Sequence, residues 1–270
     1  MDEIGGDNVA ALLLLDQPLQ RWQKIDEIAE RFGFRGVQLT PKFYAGTLGL
    51  SIKEMPDFMR KYRLTLHVGG LGVLQTKQHL QAWDDLLTDG LRLAEQHFME
   101  DVSFHPPEFT PSTDDRALCL ELFDRLTSHW LPRYEDKGIT LSLESHSKGE
   151  YFAFLGLQHY LQFVEQHLGL GALIDISHCH HDEEDIAQVV AACRGVHVTG
   201  LHLSDAVRGR DIRTGTHLPI GQGEVDFLPA LLQFGQYSMV YAALEVKGQS
   251  AEIADSLASL TRQLRSVTAY

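Results

Sequence analysis

Thr140-Leu141-Ser142-Leu143-Glu144-Ser145-His146 is a short, mostly apolar run that stops on a carboxylate. Moving outward from it, the same pattern recurs on both sides. Leu66-His67, Phe104-His105, Ile174-Asp175, Leu201-His202 and Leu244-Glu245 each set a His or an acid directly after an apolar residue near the end of such a run. The full set of candidate strands is Val9–Leu15, Gly36–Leu39, Leu64–Val68, Val102–His105, Thr140–Glu144, Ala172–Ile176, Val196–Leu203 and Val240–Val246. They are apolar almost throughout, as expected of parallel strands covered on both faces.

Amphipathic stretches separate these runs. Ile253, Leu257, Leu260, Leu264 and Val267 recur at steps of four and three, and Trp22, Ile25, Ile28, Ala29 and Phe32 fall on one side of a helix. Gly33, Gly138 and Gly195 stand where helices should stop. Eight βα units with no linker or composition break predict an α/β fold, a (β/α)₈ TIM barrel occupying 1–270 as one domain; a doubly wound open sheet is the runner-up.

In such a barrel the residues at the C-terminal strand ends share one mouth. Several carboxylates gathered there repel one another, and burying them unpaired is costly. A divalent cation removes both problems. Mixed His and carboxylate ligands suit Zn²⁺, Mn²⁺, Fe²⁺ or Co²⁺ better than Ca²⁺ or Mg²⁺. His178, three residues after Asp175, joins the set.

The chain carries 23 basic and 37 acidic residues, a net charge of −14, which argues against a nucleic-acid partner. Cys119, Cys179 and Cys193 are odd in number and lack paired spacing, so no disulfide scaffold is expected. No apolar run approaches the roughly 20 residues of a membrane span. Val9–Leu15 is short and follows Asp2, Glu3 and Asp7 rather than basic residues, unlike a signal peptide. A cytoplasmic setting is the default expectation.

Five motifs, in order, resemble the xylose isomerase-like barrel superfamily, which includes sugar and sugar-phosphate isomerases and epimerases and has endonuclease IV as a relative. Phe34-Arg35-Gly36-Val37-Gln38-Leu39 is similar to that family's GF-x-G-V-E-L strand, and Leu143-Glu144-Ser145-His146 to its L-E-x-H. Asp175-Ile176-Ser177-His178 matches D-x-x-H, and His202-Leu203-Ser204-Asp205 matches H-L-K-D. The stretch from His217-Leu218-Pro219 to Val225-Asp226-Phe227 resembles H-x-P-L-G-E-G-x-I-D-F. The resemblance implies that Glu144, Asp175, His202 and Glu245 hold one metal, and that Glu144 and Glu245 are also the acid/base pair. It implies that His178 and Arg208 contact a small sugar-like substrate, with His67 and His105 near it. The expected reaction is proton transfer through a metal-stabilised enediolate, giving epimerisation or aldose–ketose isomerisation. Dimers or tetramers would be in keeping with this resemblance.

Two other readings use the same residues. One is dehydratase or lyase action on a polyol-like substrate. The other is endonuclease IV-like phosphodiester cleavage by up to three metals, with His67, His105, His178 and His217 as additional ligands. An aspartate expected two residues before His217 is Gly215 here, which weakens the third metal. A non-enzymatic scaffold would predict a broken ligand set. Smaller features read as structure: Trp22, Trp83 and Trp130 as core, Gly69-Gly70-Leu71-Gly72 as a tight turn or lid, and Asp182–Asp185 after His180 and His181 as a helix opening. Lys247 could bind an anionic substrate group. The long polar connection Ser204–His217, with Arg208, Arg210 and Arg213, is expected to be functional.

Overall fold

The computed structural model describes residues 10–14, 22–40, 55–110, 113–148, 151–227, 231, 241–246 and 250–268. In chain order these form β1 (Ala10–Leu14), α1 (Trp22–Phe32), β2 (Gly36–Leu39), β3 (Arg63–Gly69), α2 (Lys77–His97) and β4 (Asp101–Phe104). There follow α3 (Thr113–Glu135), β5 (Thr140–Glu144), α4 (Leu157–Gln166), β6 (Gly171–Asp175), α5 (Ile176–His181) and α6 (Ile186–Ala192). The chain finishes with β7 (Val198–Leu203), α7 (Ile212–Gly215), β8 (Tyr241–Leu244) and α8 (Ser250–Thr268). A 3₁₀ turn, Asp57–Lys61, leads into β3.

Each strand pairs in parallel with the next, and β8 pairs with β1, so the eight-strand sheet is closed. This is the expected barrel, and closure eliminates the open sheet. The helices pack outside it. Trp83, Phe123, Tyr134 and Tyr160 are fully or almost fully buried between helices and strands, with Phe123 stacked on Phe163 at 5.1 Å. Trp22 and Trp130 are buried too, and so are all three cysteines.

The polar exceptions in the largely apolar strands gather on the inner face. Gln38, Thr65, Ser103, Ser142 and Thr199 are fully buried on the strands, and several bond across the lumen. Gln38 of β2 reaches Tyr241 of β8 at 3.1 Å, and Tyr241 donates to Asp101 of β4 at 2.9 Å. Ser142 of β5 meets Asp101 and also Thr199 of β7, the latter at 2.8 Å. Tyr241 fits because β7 has Gly200 beside it: a Cβ there would lie 2.7 Å from the tyrosine ring. Most of the lumen is therefore a hydrogen-bonded polar column, which is the condition for burying such groups, and Thr65 Oγ1 is the member left without a partner.

At the β3 end Gly69 and Gly72 adopt positive φ (66° and 72°) and turn the chain, the structural role expected of that glycine run. Asp185 caps α6 by accepting from the Gln188 N–H at 3.0 Å, so the acidic run does open a helix. Among the described residues, no helix is long and apolar enough to cross a membrane.

Candidate metal centre

The strand ends converge as the barrel geometry requires. His67 lies in β3, Glu144 and Asp175 end β5 and β6, and His202 lies in β7. His105 follows β4, and Glu245 follows β8. His67, Glu144, Asp175, His178 and His202 are buried, whereas His105, His217 and Glu245 are partly open.

His202 is at the middle. Its Nδ1 stands 2.8 Å from Glu144 Oε1 and 2.8 Å from Glu245 Oε2. Glu144, Asp175, His202 and Glu245 offer ligand atoms that all lie within 4.8 Å of one another. Two further groups at the same spacing are His67 with His105 and Glu144, and Asp175 with His178 and His217. His67 Nε2 is 3.0 Å from His105 Nε2, and His105 Nε2 is 3.0 Å from Glu144 Oε2. His217 Nδ1 is 3.7 Å from Glu245 Oε2.

Local folding sets these positions. Asp175 Oδ1 accepts from the His178 N–H at 2.9 Å and the Ser177 hydroxyl at 2.8 Å, capping α5. That leaves Oδ2 buried with no hydrogen-bond partner; Glu144 Oε2 and Glu245 Oε2 are buried likewise, with His105 Nε2 and His202 Nδ1 close to them but not aligned to donate. His178 is steered by Ser147, whose Oγ lies 2.6 Å from its Nδ1. His217 takes a left-handed backbone (φ 55°), which costs a non-glycine residue energy and must be enforced by its surroundings. The enforcement comes from Leu218, bridged to Asp205 by backbone bonds of 2.8 and 3.0 Å.

The electrostatics separate the groups. Burial alone would raise the Glu144 carboxyl, but His202, His105 and His67 outweigh it and hold it well below its ordinary range. Partial burial would raise Glu245 too, yet His217 and His202 bring it to about 2. Both glutamates are therefore ionised at neutral pH. Burial drives His67 down to about 3 and His178 well below its usual value, so both are neutral and able to ligate or to hydrogen-bond. Burial raises Asp175 to about 6, with His217 opposing it.

A divalent cation fits this donor set. Three orphaned carboxylate oxygens face a region where a single imidazole nitrogen lies within 3 Å of two carboxylates. One Nδ1 proton cannot bond both acceptors well, whereas a cation at that point can be shared. The Gly215 position does not take a side chain without adjustment: a Cβ would be 2.9 Å from Arg210 Cβ and 3.1 Å from Val207 O.

Not every expected residue is here. Arg208 is exposed, its Nε lies 3.3 Å from His180 O, and it does not line the cavity above the acids. Arg213, five residues on, does line it. Lys247 lies outside the described residues. Residues not singled out in the sequence also line this cavity of about 490 Å³: Glu108, His146, Lys148, Tyr151 and Phe152. His146 is held between the Phe152 ring at 4.1 Å and a stacked His178 at 4.4 Å. Its place in the L-E-x-H motif was the available signal.

Comparison with curated proteins finds no match. Among solved structures, a D-tagatose 3-epimerase-like protein superposes with a TM-score of 0.79 at 19% identity, covering 96% of this chain and 98% of its own. The IolI protein with a zinc atom gives 0.73 at 11% identity, covering 96% and 98%. D-Psicose 3-epimerase from Clostridium cellulolyticum H10, solved with D-tagatose, gives 0.72 at 15% identity, covering 95% and 99%. At these identities the likeness shows the fold. The model of the xylose isomerase-like TIM barrel family matches residues 27–263, and the chain belongs to that family.

Proposed function

We propose that this protein is a divalent-metal-dependent isomerase or epimerase acting on a small sugar or sugar phosphate. The observation that carries the reading is the pair of ionised glutamates, buried Glu144 and partly open Glu245, set about one imidazole nitrogen and facing one cavity. Proton transfer next to a carbonyl needs a base, an acid and stabilisation of the developing oxyanion. A cation held by Glu144, Asp175, His202 and Glu245 would supply Lewis-acid stabilisation of that oxyanion.

The protein's own groups do the rest. One glutamate takes the proton from the substrate carbon, and the other, or a water, returns it. Return to the opposite face inverts the centre, and return to the neighbouring carbon interconverts aldose and ketose. Neutral His178, buried and steered by Ser147, would contact a substrate oxygen. Glu108, Lys148 and Arg213 on the cavity wall suit a polyhydroxylated ligand better than an apolar one. The sugar epimerases among the structural neighbours support this substrate class.

The three ligand groups at the mouth favour a second reading, multi-metal phosphodiester cleavage. The closed space at Gly215 and the charge of −14 weigh against it. Ketoses incubated with metal-loaded protein in ²H₂O separate the two. Deuterium entering the substrate carbon is expected, and Glu144→Gln or Glu245→Gln should each slow exchange by about 10²–10⁴-fold. Full exchange in both variants would remove the acid/base pair, and cleavage of a phosphodiester such as bis(p-nitrophenyl) phosphate to its monoester, with no exchange into the ketoses, would select the hydrolase.

A further inference from the structure

The polar column inside the barrel leads to the metal centre. Tyr241 donates its hydroxyl proton to Asp101 Oδ1 at 2.9 Å, so its oxygen is left to accept. The group that meets it is Gln38 Nε2, at 3.1 Å, which can only donate. That fixes the amide with Oε1 turned the other way, 2.8 Å from His202 Nε2. An amide oxygen only accepts, so His202 Nε2 must carry a proton. In the neutral ring the lone pair is then on Nδ1, the nitrogen between Glu144 and Glu245.

The argument holds in either protonation state of Asp101. Asp101 Oδ2 meets Ser142 Oγ, which also faces Thr199 Oγ1, and Thr199 can pass its own proton to Ala172 O at 3.2 Å. An acid proton on Oδ2 is accommodated on that side, and Oδ1 remains the acceptor for Tyr241. All of Gln38, Asp101, Tyr241 and His202 are fully buried, so water does not compete for these bonds.

We propose that Gln38 is a positioning residue: through the relay Asp101–Tyr241–Gln38 it locks His202 in the Nε2–H form with Nδ1 presented to the metal. The inference rests on the metal-centre reading above and assigns a role to a side chain that does not itself ligate. Outer hydrogen bonds of this kind fix ring orientation and tautomer, and losing one typically weakens metal binding about 10–100-fold.

The test uses the whole protein and Zn²⁺ alone, with affinity read by chelator competition and His202 by long-range ¹H–¹⁵N NMR. Gln38→Leu should lose about 10–100-fold in Zn²⁺ affinity, and Tyr241→Phe should lose a smaller factor. Gln38→Glu keeps an acceptor at Oε1 and, taken up as the neutral acid in this buried place, a donor toward Tyr241 at Oε2, so it should stay within a few-fold of wild type; general damage to the barrel would not give that rescue. In zinc-loaded wild type, His202 should show a protonated Nε2 and a coordinated Nδ1. Wild-type affinity in Gln38→Leu, or zinc on Nε2, overturns the relay and leaves the metal centre standing. If Gln38→Leu does not fold, unchanged affinity in Tyr241→Phe overturns it equally. Wild type that takes up no Zn²⁺ removes the metal centre, and the relay with it.

Discussion

Asp101 shows how much one buried acid can reveal. It lies at the start of β4, fully buried, and burial raises it to about 6 despite the hydrogen bonds from Ser142 and Tyr241. A carboxyl whose folded value is raised above its unfolded value favours the protonated state in the fold. Its contribution is therefore most stabilising below about pH 4 and is lost as pH climbs through about 6. At neutral pH the ionised form should cost of the order of 1–3 kcal/mol. Asn has the shape of the protonated acid: Oδ1 still accepts from Tyr241, and the amide nitrogen donates to Ser142. Asp101→Asn should gain stability relative to wild type as pH rises from 4 to 7 and should keep its metal affinity. Urea denaturation of chelator-treated protein across that range checks it. A wild type and variant that track each other at every pH would mean Asp101 titrates normally.

At the scale of elements, the connection after β7 explains a motif that looked catalytic. In His202-Leu203-Ser204-Asp205 the histidine faces the metal centre, while Asp205 organises the next loop. Asp205 Oδ1 accepts from the Ala206 and Val225 N–H groups at 2.9 and 3.0 Å, and Oδ2 from Gly221 N–H at 2.8 Å. A Cβ at Gly223 would lie 2.4 Å from Asp205 Oδ1, which is why the loop has glycine there. Removing three acceptor bonds from a buried acid leaves backbone donors unpaired. Asp205→Ala should cost about 2–4 kcal/mol by urea midpoint and should release His217 from its left-handed turn. His217→Ala is the control: stability near that of wild type there, with a large loss in Asp205→Ala, separates the anchor from the site. The same contrast shows why the sequence was readable only in part. Strand ends carrying His67, Glu144, Asp175 and His202 stand out because a charged or polar residue interrupts an apolar run. Gln38, Tyr241 and Gly200 work by contacts between β2, β7 and β8, and no spacing along the chain encodes a bond spanning 203 positions. The placing of Arg208 shows a related limit. Its distance from His202 was legible, but the path of the loop, which brings Arg213 to the cavity instead, depends on Asp205 and Gly215 packing.

For the whole molecule, the candidate metal centre gathers buried acids from several strands. Six consecutive strands, β3 to β8, bring a His or carboxylate to one mouth, and three of the carboxylate oxygens lack a hydrogen-bond partner there. With no cation, Glu144 and Glu245 rely on His202, which they raise well above its ordinary value against the effect of burial. A cation held by Glu144, Asp175, His202 and Glu245 would take the place of that proton and join β5, β6, β7 and β8. Binding to the folded chain alone stabilises it by mass action, about 4 kcal/mol at a thousandfold excess over Kd. For a domain of this size that corresponds to a Tm rise of roughly 8–16 °C. Calorimetry of EDTA-treated protein, with and without Zn²⁺ or Mn²⁺, should show the rise in wild type. His202→Ala should abolish most of it while keeping a cooperative transition, because the barrel closes through β1 and β8 without the imidazole. A wild-type Tm indifferent to both ions would mean that the converging acids are held by their histidines alone. The pair Glu144 and Glu245 would then have a base but no Lewis acid beside it.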